Sequence, residues 1–223
     1  MPRWVRLRRG VAAAFAPESP WAARLAVLVI VGLQWILDKR YTFGPNWLLP
    51  GLELALLLPL SLVTHLRPAA ERLQRRVAIG LIGLINLANL YSLLSLVRSL
   101  LHGSKASGTA LLLNALNIWV TNLIIFALWY WELDRGGPFL RRSHRARNPD
   151  FFFPQMTNPE LAHPNWRPGF VDYLFLSFTN ATAFSPTDTL PLTPTAKLLM
   201  MVQAGTSFIT VALVAARAVN ILA

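Results

Sequence analysis

The sequence predicts an all-α membrane protein: a polytopic transmembrane helical bundle of four spans, followed by a helical hairpin and a long C-terminal helix, five or six crossings in all. Three observations carry this. Of 223 residues, 54% are hydrophobic and only 14% charged, where a soluble domain carries about 25% charged residues. Several apolar runs approach the roughly 20 residues that cross a bilayer. The 21 Lys and Arg, against 10 Asp and Glu, flank those runs, as orientation-setting residues do. A net charge of +11 would suggest nucleic acid in a soluble chain. Beside apolar helices it points to the lipid bilayer as partner and away from nucleic acid.

Residues 1–20 form a basic interfacial segment, with Arg3, Arg6, Arg8 and Arg9 interleaved with Trp4, Val5 and Leu7, a pattern suited to an anionic membrane surface. Nothing after the first apolar run resembles a signal cleavage site. Residues 21–131 form the four-helix region. Trp21–Leu37 is the first span, with Trp21 and Trp35 placed for the two interfaces. Asn46–Leu66 is the second and contains Glu53. An acid at that depth is costly, so it reads either as a proton or cation site or as a neutral Glu bonded to a neighbouring helix.

His65–Arg76 reads as a basic loop and Val77–Leu101 as the third span, carrying Asn86 and Asn89 on one face. Thr109–Trp131 is the fourth span, where Asn114, Asn117 and Thr121 make a matching stripe. Two such faces either bond each other across the helices or line a water-filled path. Residues 132–168 hold Arg135, Arg141, Arg142, Arg145 and Arg147 and six prolines. They read as a loop too proline-rich for a compact domain. His144 and His163 lack a convergent ligand set, so no metal is expected.

Residues 169–223 form the hairpin: Phe170–Phe184, a small-polar turn over Ser185–Thr189, and a final span over Thr195–Ala223. Ser177-Phe178 through Pro194 resembles the pore loop of tetrameric potassium channels without a gap. The family's Ser-Phe start, filter Asp and post-filter Pro-x-Thr-Pro fall on Ser177-Phe178, Asp188 and Pro191-Leu192-Thr193-Pro194. The Thr-Val-Gly-Tyr-Gly-Asp filter is replaced by Ala183-Phe184-Ser185-Pro186-Thr187-Asp188. Without its glycines, and with the φ of Pro186 fixed, the backbone carbonyls cannot be aimed as a potassium filter requires. Over roughly its last 95 residues the chain also resembles a bacterial membrane family of unknown function that carries such a filterless loop. The shared features fall on Trp129-Tyr130-Trp131, Phe153-Pro154, Asp172-Tyr173 and Thr187-Asp188.

The resemblance implies a poorly selective or non-conducting channel relative. It would be assembled as a homo-oligomer, a tetramer if channel-like, with Asn180, Thr182, Ser185, Thr187 and Asp188 as pore or ion contacts. Asp188 also suits a turn or helix cap. A structural or accessory protein binding partner helices or anionic lipid is the alternative, and a proton-coupled carrier using Glu53 a weaker one.

No phosphate loop, metal motif or nucleophile elbow occurs, so no enzyme and no cofactor are expected. Cysteine is absent. The positive-inside tendency places the N-terminus and residues 132–168 in the cytoplasm of a bacterial inner membrane. Lys39, Arg40, Arg98 and Lys105 fall on the other side. Phe170–Asp188 then either crosses as a short fifth span or dips in and returns on the same side. Arg217, cytoplasmic in the first case, tips the balance to a crossing.

Overall fold

The computed structural model describes residues 20–37, 45, 47–51, 53, 54, 57, 68–102, 107–142, 148–158, 160, 166–183 and 188–222. The chain is all-α, with seven α-helices among these residues: α1 (Pro20–Ile36), α2 (Pro68–Leu101), α3 (Gly108–Leu133), α4 (Pro138–Arg142), α5 (Pro154–Thr157), α6 (Phe170–Thr182) and α7 (Pro194–Leu222). Three stretches are long and apolar enough to cross a membrane: Arg72–Leu101, Gly108–Gly136 and Pro194–Ala216. The expected second span is described only at positions 47–51, 53, 54 and 57, and the segment 1–19 lies outside the described residues.

In α1, Ala22, Ala26 and Ile30 with Ala23 and Val27 form an inner stripe at helical spacing, while Leu25, Leu28 and Trp35 point outward. On α2 the inner stripe runs through Leu81, Ile85, Ala88, Ser92 and Leu96. The expected loop over 65–76 is corrected here: α2 begins at Pro68, so Arg72, Arg75 and Arg76 are helical. Proline suits a first helical turn because its missing N–H would be unpaired there anyway. Ala69, Ala70 and Glu71 then favour continuation. The resulting 34 residues extend about 51 Å at 1.5 Å each, well beyond a hydrocarbon core of about 30 Å.

Helix α3 starts at Ser107, whose Oγ accepts from Ala110 N at 3.2 Å, and is the hub, touching α1, α2, α6 and α7. One core cluster joins Ala22 and Ala23 of α1 to Tyr130 and Trp131 at the end of α3, together with Phe151 and Tyr173. A second joins Leu37, Leu93, Leu96, Leu111, Ala115 and Ile118 at the opposite end. The starts of α1 and α2 and the finish of α3 therefore share one end, where Arg75 Nη2 donates to Glu132 O at 3.3 Å. Past Leu133 the chain reverses through Arg135, Gly136 and Gly137, all with positive φ (54°, 84° and 99°).

The Arg- and Pro-rich segment 132–168 carries short elements among its described residues. A 3-10 turn over Asp134–Gly136, α4, strand β1 (Phe151–Phe152) and α5 fold against that end. Burial of Phe151 and Phe153 and the side chain of Asp134 hold them there. Strand β1 pairs antiparallel with β2 (Leu190–Pro191), in the register Phe151↔Pro191 and Phe152↔Leu190.

This pairing brings both ends of the Phe170–Asp188 segment, expected to cross, to one end of the bundle. Helix α6 begins beside the finish of α3, where the Phe170 ring meets Trp131 at 6.3 Å. It descends until Phe178 meets Trp119 and Ser177 reaches Leu123. The chain is then back at the starting end, because β2 lies on β1 and Thr193 bonds Asp150. A helix of 13 residues reaches only about 20 Å. Helix α6, β2 and α7 all begin at the same end, and α7 runs away from it.

Candidate functional site

The hairpin is fixed at its mouth by two aspartates. Asp134 is fully buried. Its Oδ1 accepts from Asp150 N at 2.8 Å and Phe151 N at 3.4 Å, and its Oδ2 from Tyr173 OH at 2.6 Å. Asp150 in turn accepts from Arg135 N at 3.0 Å and Thr193 Oγ1 at 2.7 Å, while its carbonyl accepts from Leu192 N at 2.8 Å. Thr193 Oγ1 accepts from Ala196 N at 3.3 Å, which caps α7. Two carboxylates thus tie the finish of α3, β1, α6 and the start of α7 together.

Arg141 seals the same place. Its Nη1 donates to Trp131 O and Asp134 O, each at 2.7 Å, and its guanidinium lies over the Tyr173 and Trp131 rings at 5.3 and 5.8 Å. A cation on the last carbonyls of α3 opposes the negative end of its dipole. Asp172 Oδ2 accepts from Gly169 N at 2.7 Å and closes the first turn of α6.

One turn deeper, Gln203 of α7 is completely buried and uses its whole hydrogen-bonding capacity. Its Nε2 donates to Ser177 O and Ser177 Oγ at 2.9 and 2.6 Å, and its Oε1 accepts from Tyr130 OH at 2.5 Å and Asn180 Nδ2 at 2.9 Å. Asn180 also donates to Met200 O at 3.0 Å, and Ser177 Oγ to Leu123 O at 2.6 Å. Asn122 Nδ2 adds a bond to Ser207 Oγ at 3.0 Å. Such a lattice rigidifies a packing because every loss strands a partner.

The expected contact residues of the hairpin therefore divide. Asn180 is buried between α3, α6 and α7 of its own chain, not presented to a path. Thr182 is exposed and donates back to Phe178 O at 2.8 Å. Asp188 is exposed, and Ser185 and Thr187 lie outside the described residues.

The interhelical polar residues converge in the other half of the molecule. Asn89, Asn117 and Thr121 line one cavity of about 20 Å³ with Gln34 and Ser92. The Asn faces meet across this space. Asn117 Nδ2 bonds Leu33 O of α1 at 2.7 Å, and Asn114 Nδ2 bonds Ala110 O at 2.7 Å. Asn86 is partly buried on α2. Glu53 is completely buried, and its Oε1 accepts from Gln34 Nε2 at 3.0 Å.

Asp134, Asp150, Gln203 and Gln34 were not singled out from sequence. Gln203, Ser207 and Thr210 do carry a readable signal, polar positions at i, i+4 and i+7 of an otherwise apolar helix, all three buried. Among the described residues, no three His, Asp or Glu side chains gather at one place. The geometry positions a hairpin rather than activating a nucleophile.

Comparison with known proteins adds no name to these features: no family model, no curated protein and no solved structure matches the chain.

Proposed function

We propose that this is a multi-pass membrane protein built around a re-entrant, channel-like hairpin, a poorly selective or non-conducting relative of the tetrameric potassium channels acting as one subunit of a homo-oligomer. The observation that carries this reading is the return of the chain to one end after α6. Tyr173 is fastened to Asp134 and Thr193 to Asp150, while α6 is too short to cross. A short inward helix, a return and a long following helix are the parts from which a pore loop is made. On this reading α1, the apolar run Asn46–Leu66, α2 and α3 precede the hairpin as crossings and α7 is the fifth.

The arginine-rich end, with Arg75, Arg135, Arg141 and Arg167, is the cytoplasmic one on the positive-inside tendency. The C-terminus is then outside, and the hairpin enters from the cytoplasm. The cysteine-free sequence gives a clean test with an impermeant thiol reagent on intact cells. Ser107→Cys is labelled and Glu160→Cys is not; the reverse pattern inverts the orientation.

Flux through liposomes holding wild type or Asp188→Asn tests conduction. Ion movement reduced in the variant supports a pore. No movement, or a chain that stays monomeric in bilayers, removes it.

The accessory reading has its own support. Asn180 is consumed inside the subunit, and the outward faces of α6 and α7 carry Phe175, Phe178, Met201, Val202, Phe208 and Ile209. A path walled by such residues excludes water, whereas the same faces suit partner helices or lipid. Co-purification of a second membrane protein, with no flux, favours this reading.

A further inference from the structure

Helix α2 buries one face against α3 and leaves the other uncovered. Leu87, Leu90 and Leu94 are exposed in the middle of the apolar Arg72–Leu101 stretch. One polar group does not fit this division. Asn86 is partly buried, lies about 20 Å of helix from either end of that stretch, and has no hydrogen bond to any described residue. Asn89, three residues on and about 60° round the helix, lines the cavity beside Gln34, and Asn86 does not.

Such an amide is out of place against lipid. Near the midplane neither water nor headgroups reach it, and its unmet carbonyl and NH2 each cost free energy. Helix α7 shows the contrast. It turns Met201, Val202, Phe208 and Ile209 outward, yet its Gln203, Thr206, Ser207 and Thr210 are all bonded within the subunit. The surface beside Asn86 is also open: a Cβ added at Gly80 or Gly83 would meet nothing within 4 Å. Small residues of this kind let a second helix come close.

We infer that α2 is the surface by which two copies of this chain pair side by side, with the Asn86 amide of one bonding that of the other. Symmetry and chemistry both select a second copy as the occupant. Two copies inserted the same way round pair about an axis along the membrane normal, so residue 86 meets residue 86 at one depth. A carboxamide carries two donors and an acceptor, and is complementary to itself. Leu87, Leu90 and Leu94 pack around the pair, and Gly83 lets the helices approach. The inference rests on the membrane-spanning, homo-oligomeric reading and names its contact. It uses no part of the hairpin, so pairing and ion flux succeed or fail separately.

The test is disulfide cross-linking of the full chain in membranes, which the cysteine-free sequence makes clean. Leu90→Cys, one turn from Asn86, is oxidised to a covalent dimer, whereas Val29→Cys, exposed on α1, is not. In detergent micelles Asn86→Leu raises the dimer dissociation constant about 3- to 30-fold, and Asn86→Gln, which keeps the amide, restores pairing. The Asn86→Leu monomer unfolds no earlier than wild type, because no bond within the subunit is lost. Gly83→Leu weakens the dimer with the amide in place. No cross-link at position 90, an equal one at position 29, or Asn86→Leu association as tight as wild type overturns the inference. So does an Asn86→Leu monomer that is less stable or fails to fold, since the amide would then have its partner inside its own chain.

Discussion

The two halves of this protein bury polar groups for opposite ends. Around Asp134 and Gln203 the carboxylate and the amide meet partners on every side, while the indole N–H groups of Trp129 and Trp131 and the acceptor Asn122 Oδ1 stand outside the lattice. Around Gln34 and Glu53 two buried oxygens, Gln34 Oε1 and Glu53 Oε2, go unpaired, and a cavity lies against Gln34. The same residue types, Asn, Gln, Ser and an acid, make a rivet in one place and an opening in the other. What separates them is the balance of donors to acceptors, which depends on neighbours remote in sequence.

Breaking the rivet has the largest expected effect. Asp134→Ala strands Asp150 N, Phe151 N and Tyr173 OH, and the unfolding free energy falls by about 3–5 kcal/mol. The variant is also cleaved faster by protease between Arg142 and Trp166, and cleavage at the wild-type rate would show that Asp134 does not hold that segment. Gln203→Leu keeps the shape but leaves Tyr130, Asn180 and Ser177 without their partner. It costs about 2–4 kcal/mol, read from denaturant midpoints in mixed micelles, and equal stability would mean that the lattice is dispensable.

A backbone change sharpens the contrast. At Gly137 φ is +99°, and a Cβ would lie 3.1 Å from Glu132 O and 3.2 Å from Arg75 Nε. Gly137→Ala should cost about 1–3 kcal/mol, whereas Gly32→Ala, in open space on α1, should be neutral or stabilising by up to about 1 kcal/mol. Matched thermal scans of the two variants decide it. The smallest effect belongs to the opening: Glu53→Gln changes stability by no more than about 1 kcal/mol, because its partner Gln34 is neutral and no charge is left behind. A loss as large as that of Asp134→Ala would place Glu53 among the rivets.

Helix existence was legible because apolar runs of this length admit few alternatives, and the Asn positions were visible as polar interruptions. The aspartate clasp was not. Asp134 follows an aromatic helix end and precedes an arginine, where an acid ordinarily meets solvent. Its role depends on Asp150 and Tyr173, 16 and 39 residues on. The start of α2 was obscured by Pro68, which breaks a helix interior but opens a helix well. For the hairpin, about 20 residues between Pro168 and Thr187 permitted a crossing by length alone. The pairing of Leu190 with Phe152 and the bond from Thr193 to Asp150 bring Leu190 and Thr193 to the end where α6 begins.

That two-residue pairing makes the depth of the hairpin a property of the chain upstream. Shortening or lengthening residues 142–149 would drag Phe151 against its anchor and shift Leu190, and the start of α7 behind it, without a single change in either. A fragment beginning at Gly169 would carry the whole hairpin and still have nothing to tell it how far to go in.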